Sequence, residues 1–170
     1  MEQNPINFAG RREAENRIAR MDIRKGKFVL WTGKEQPAQE YDYVQGKLLG
    51  ISLRTRETQN GVMTYLDIHF INGNTRFDVS AIASSSISAE LVSKLVNIQD
   101  TASTIRIDVW PKGAYTNSSV RENGQKLPFR IIPKVERRQN GFNASIDSAE
   151  RDTAVKMMID ELNARLATRA

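Results

Sequence analysis

Hydrophobic and polar residues alternate through the middle of the chain, and the period then changes. From Val62 to Ile71, Val62, Thr64, Leu66, Ile68 and Phe70 share one face, while Met63, Tyr65, Asp67 and His69 share the other. That period of two predicts a half-buried strand. Asn60-Gly61 before it and Asn72-Gly73 after it are hairpin signals. They join it to a long strand from Tyr41 to Glu57 and to a third strand, Thr75–Ser80, with Phe77 and Val79 inward. The long strand holds Gly46 and Gly50, residues that mark bulges or bends. Beyond Ser84-Ser85-Ser86, Ile87, Leu91, Leu95 and Ile98 recur at helical spacing. This predicts a helix capped by serine, with Glu90 in its first turn beside the helix dipole. Alternation returns over Thr104–Trp110, with Ile105, Ile107 and Val109 inward. Pro111–Ser119 reads as a loop with a strand flank, and Val120–Phe129 as the last strand segment, with Asn123-Gly124 inside it.

The flanks differ from this centre. Ala14, Ile18 and Met21 predict a short helix between Arg11 and Met21, and Lys27–Thr32 predicts a short strand after a Lys25-Gly26 turn. Gly33–Glu40 is polar and interrupted by Pro37. Phe28 and Trp31 are expected to dock this arm on the rest of the fold. After the basic run Arg130–Arg138 and a linker, Asp147–Ala167 carries the stripe Val155, Met158, Ile159, Leu162 and Leu166, which predicts an amphipathic helix. The expected division is a basic N-terminal arm over residues 1–40, a central unit over 41–138 and a linker with helix over 139–170.

Composition narrows the chemistry. The 170 residues contain no Cys and one His, which excludes disulfide frameworks, thiol catalysis and the Cys/His zinc sites. The acids Asp42, Asp67, Asp78 and Asp108 fall on separate strands, and Gly33-Lys34 lacks the spacing of a phosphate-binding loop. No catalytic residue, metal site or cofactor is expected, and the chain reads as a non-enzyme. No apolar run is long enough to span a bilayer, and Met1–Gly10 lacks signal architecture, so a cytoplasmic setting without membrane association is expected. The net charge of +5 comes mainly from the flanks and permits a polyanionic partner without requiring one.

The order strand, strand, strand, helix, strand, strand, with a glycine-kinked first strand, resembles the OB-fold, a small five-stranded barrel. The residues that carry the likeness are Tyr41–Arg56, Val62–Ile71, Thr75–Ser80, Ile87–Ile98, Thr104–Trp110 and Tyr115–Phe129. Within that fold the chain looks most like the single-stranded DNA-binding proteins of bacteria and their phages. The resemblance implies a mainly β fold with helices: an OB-like barrel with one helix between strands three and four, flanked by the basic arm and the C-terminal helix. It also implies binding on the outward face of strands two and three and in the flanking loops. On this chain the positions are Arg54, Arg56, Tyr65, His69, Arg76, Arg106, Trp110, Lys112 and Tyr115. The implied partner is single-stranded DNA, with RNA a variant, in replication, recombination or repair, in host cytoplasm if the source is a phage. Many members of the family end in a disordered acidic tail, whereas this chain ends in a helix that could join a second copy or a partner protein. A different reading makes the barrel a scaffold in a structural or adaptor protein, such as a virion component.

Overall fold

The computed structural model describes residues 18–31, 38–132 and 144–168. Over these residues it is mostly β, with nine strands in one sheet and two helices. The strands are β1 (Ala19–Arg24), β2 (Lys27–Leu30), β3 (Gln39–Tyr41), β4 (Tyr43–Thr58), β5 (Gly61–Asn72), β6 (Thr75–Ile82), β7 (Thr104–Lys112), β8 (Tyr115–Glu122) and β9 (Gln125–Lys126). Helix α1 (Ser86–Leu95) lies between β6 and β7 in the chain, and α2 (Ala144–Ala167) follows the sheet. The sheet order is β3-β2-β1-β6-β5-β4-β7-β8-β9. Every pairing is antiparallel except that of β1 with β6.

The strand β4 is long enough to serve two neighbours. Its first half pairs with β7, and from Lys47 onward it pairs with β5. The register shifts between Leu48 and Gly50, the bulge that glycine suggested. Its consequence is a change of parity: Val44 and Leu48 point into the core, and after the extra residue so does Ile51. The core also holds Leu66, Ile68 and Phe70 of β5, Phe77 and Val79 of β6, and Ile105, Ile107 and Val109 of β7. Phe70 and Phe77 stack at 5.2 Å between centroids.

Several expectations are corrected. Ala19–Met21 is strand rather than the end of a helix, because Ala19 and Met21 alternate inward with Arg20 outward; residues 11–17 lie outside the described residues. Phe28 is wholly buried, as an anchor should be, but Trp31 is 54% exposed and does not dock the arm. The loop expected at Pro111–Ser119 is a tight hairpin, with Lys112 opposite Tyr115 and Gly113 at φ 61. Helix α1 is capped by Ser85, whose side chain accepts from the Ser88 N–H, but no acid occupies its first turn. Glu90 instead accepts bonds from Lys94 Nζ at 2.5 Å and from the Ser118 hydroxyl at 2.9 Å.

Helix α2 buries its predicted stripe against its own chain, packing on β4 and α1. Asn163 donates to the Ile51 carbonyl at 2.7 Å and accepts from the Ile51 N–H at 2.9 Å. Its amide therefore covers the edge of β4 that β7 has left. Arg165 donates to the carbonyls of Val96 and Ile98 and satisfies groups beyond the end of α1. Among the described residues, no helix is long and apolar enough to cross a membrane.

The Lys25-Gly26 turn brings distant parts of the sheet together. Both residues have positive φ, as a type I′ hairpin requires, and the Gly26 N–H donates to Thr116 Oγ1 at 3.1 Å. A Cβ on Gly26 would lie 2.2 Å from the Pro111 nitrogen. The hairpin paired to β6 thus also abuts the β7–β8 hairpin. Gly26→Ala is expected to cost about 2 kcal/mol or more, read from the urea midpoint. Gly73→Ala, at φ +61 in open space, should cost only the backbone strain, about 1 kcal/mol.

Candidate nucleic-acid interface

The sheet face opposite the core is polar, and its registers align side chains from four strands in rows. One row holds Arg20 of β1, Asp78 of β6 and His69 of β5. The next holds Asp22, Ser80, Asp67 and Ser52, and a third holds Ile82, Tyr65 and Arg54.

Asp67 is only 2% exposed although it lies on the outward face. Arg54 and Ser80 supply what water would have supplied: Arg54 Nε donates to Oδ2 at 2.7 Å, and Arg54 Nη2 and the Ser80 hydroxyl donate to Oδ1 at 3.3 and 2.6 Å. Burial pushes the Asp67 carboxyl upward, but these bonds and the charges of Arg54 and Arg20 outweigh it, so its pKa falls below the ordinary Asp value. The Arg54 guanidinium also lies 4.9 Å from the Tyr65 ring centroid. Arg20 lies 4.0 Å from Asp67 and 3.6 Å from Asp78, so β1 reaches both buried carboxylates.

His69 Nδ1 is 2.6 Å from Asp78 Oδ1, and its Nε2 is 2.7 Å from the Ser52 hydroxyl. The order Ser52–His69–Asp78 has the connectivity of a hydroxyl, a base and an orienting carboxylate. Its electrostatics favour another role. The bond to Asp78 raises the imidazole pKa despite burial, with the charges of Asp78 and Asp67 adding to the rise. The ring is held toward its cationic form, which donates to Asp78 and Ser52.

The expected site residues fall into separate sectors. Arg54, Tyr65 and His69 belong to the carboxylate network. Arg76 is exposed beyond it, opposite Ile71, and Arg56 is exposed on the projecting β4–β5 ribbon, opposite Met63. Arg106 lies farther along the sheet, 3.8 Å from the Tyr43 ring centroid, and bonds Asp108 through Nε and Nη2 at 3.1 and 2.9 Å. Trp110, Lys112 and Tyr115 are exposed on the β7–β8 hairpin. Trp110 borders a cleft of about 810 Å³, together with Leu127, Phe129 and Lys94.

Sequence reasoning missed Arg20, Arg24, Trp31 and Tyr43 as members of this surface. The alternation of Ala19–Arg24 was the available signal, but nothing local indicates that β1 joins β6.

Two measurements test the network. Arg54→Ala should lower stability by about 2 kcal/mol in urea denaturation, less than for a stranded buried charge because Ser80 and Arg20 still serve Asp67. Replacing the pair by Arg54→Met with Asp67→Leu should recover most of that loss. His69 is the one histidine, so its NMR titration is unambiguous: the midpoint should lie above the ordinary value of about 6.5, and Asp78→Asn should bring it down. A raised folded pKa means that this contribution to stability is full below about 6.5 and is lost as pH rises through the folded value.

No family model, curated protein or solved structure matches the chain.

Proposed function

We propose that the chain is a non-catalytic, sequence-tolerant single-stranded DNA-binding protein. In this reading β4–β8 with α1 form an OB-like five-stranded unit whose outward face receives the strand. Bases stack on Tyr65, Trp110 and Tyr115, and Arg54, Arg56, Arg76 and Lys112 lie near phosphates. The observation that carries the reading is Arg54 over Tyr65, with the arginine fixed by Asp67: a planar cation on an aromatic ring, built in advance on a regular strand. Every base has a π-face, so such a platform is tolerant of sequence. The DNA replication, recombination or repair setting rests on the family resemblance. RNA remains a variant, since a stacking platform alone does not read the 2′-hydroxyl. The adaptor alternative relies on contacts made by α2, and the burial of that helix's apolar stripe on its own chain counts against it.

Fluorescence anisotropy with labelled oligo-dT at two salt concentrations, with duplex competitor, tests the reading. The expected result is binding that weakens with salt and prefers the single strand. Tyr65→Ala should weaken it about tenfold, from a stacking contribution of about 1–3 kcal/mol per base. Absence of binding at low salt overturns the reading.

A further inference from the structure

The arrangement at Tyr65 occurs three times on the outward face of the sheet. Arg54 lies over Tyr65 and is paired with Asp67. Arg106 lies over Tyr43 and is paired with Asp108. Arg24 lies 5.4 Å from the Trp31 ring centroid, with its guanidinium 3.8 Å from Asp22. The Trp31 indole N–H also donates to Asp22 at 3.2 Å, so that carboxylate touches both the ring and the cation. In each unit an aspartate holds an arginine against an aromatic ring, and the strands supply the spacing: Tyr65–Asp67 and Arg106–Asp108 each point to one face from one strand. At about one per 70–80 residues a chain of this length carries about two cation–π contacts, so it is the recurring aspartate beside each arginine, rather than their number, that makes the three alike.

The units lie across the sheet at β2–β1, β5–β4 and β4–β7. With strands about 4.8 Å apart, the first and second are separated by about 14 Å across the sheet, whereas Tyr43 of the third lies eleven residues before Arg54 on β4, about 36 Å along that strand. Trp31 is the clearest case, because a large apolar ring is left more than half exposed while two side chains fix it. Ring and cation are ordered before any ligand arrives, which removes the entropy cost of ordering them on binding.

We infer that Trp31–Arg24 and Tyr43–Arg106 are two further base-stacking stations for the same single strand. The inference rests on the function proposed above and extends its site to Tyr43 within the five-stranded unit and to Trp31 and Arg24 outside it.

The test uses the full chain and oligo-dT of about 20 nucleotides, long enough to span several stations. Trp31→Ala and Tyr43→Ala should each weaken binding about tenfold, while Trp31→Phe and Tyr43→Phe, which keep a ring, should largely retain it. The chain has two tryptophans, so in Trp110→Phe the remaining indole is Trp31, and its fluorescence should be quenched as the oligonucleotide binds. That readout decides the Trp31 station even if Tyr43→Ala fails to fold. If Trp31 is unquenched and both alanine variants bind as the parent does, while Tyr65→Ala binds weakly, the extra stations are refuted and the proposed function stands. If the parent chain does not bind, both fall.

Discussion

Two carboxylates buried on the face of the sheet away from the core constrain how the chain can assemble. Asp67 and Asp78 would be costly in that position without cationic partners, and their partners come from different parts of the sequence. Arg54 arrives from β4, His69 from β5 and Arg20 from β1. Arg20 reaches both acids, so the N-terminal hairpin belongs to the electrostatic balance of the sheet as well as to its hydrogen-bond ladder. A hairpin docked one residue out of register would turn Arg20 inward and leave Asp78 without that partner.

The same hairpin is held from its other face and at its tip. Met21 and Phe28 are completely buried, and the Gly26 turn fits against Pro111 and Thr116. The free stretch of β4 is handled differently, by the side chain of Asn163, which makes the two bonds a neighbouring strand would have made to Ile51. Helix α2 is thereby tied to the point where β4 changes partners, one residue past Gly50 of the bulge.

Much of the central architecture was legible because it is local. Alternation in β5 and β7 identified their inward residues, Gly50 marked the bulge, and the stripe on α2 matched the residues it buries. The Asn-Gly pairs among the described residues located hairpins, although of these only at Asn123-Gly124 do both residues occupy the turn with positive φ. What was hidden depends on distant partners. Ala14, Ile18 and Met21 fit a helical period as well as Ala19 and Met21 fit a strand, and the pairings with β2 and, from Ala19, with β6 decide in favour of strand. Alternation also assigned Tyr65, Asp67 and His69 to the outward face correctly, but it could not reveal that Asp67 is buried there under Arg54. The exposure of Trp31 was missed for a related reason: a tryptophan suggests burial, whereas this one is secured by Asp22 and Arg24 at the surface.

The parallel pairing of β1 with β6 also sets an order of events. The β1–β2 hairpin has a short loop and can close within microseconds, but Ala19 must wait for Phe77, more than fifty residues later in the chain. On a growing polypeptide the hairpin therefore emerges early with Met21 and Phe28 uncovered, and it can be sealed only after the β4–β6 meander has formed beside it. Of the described strands, the first to be made is among the last to be covered.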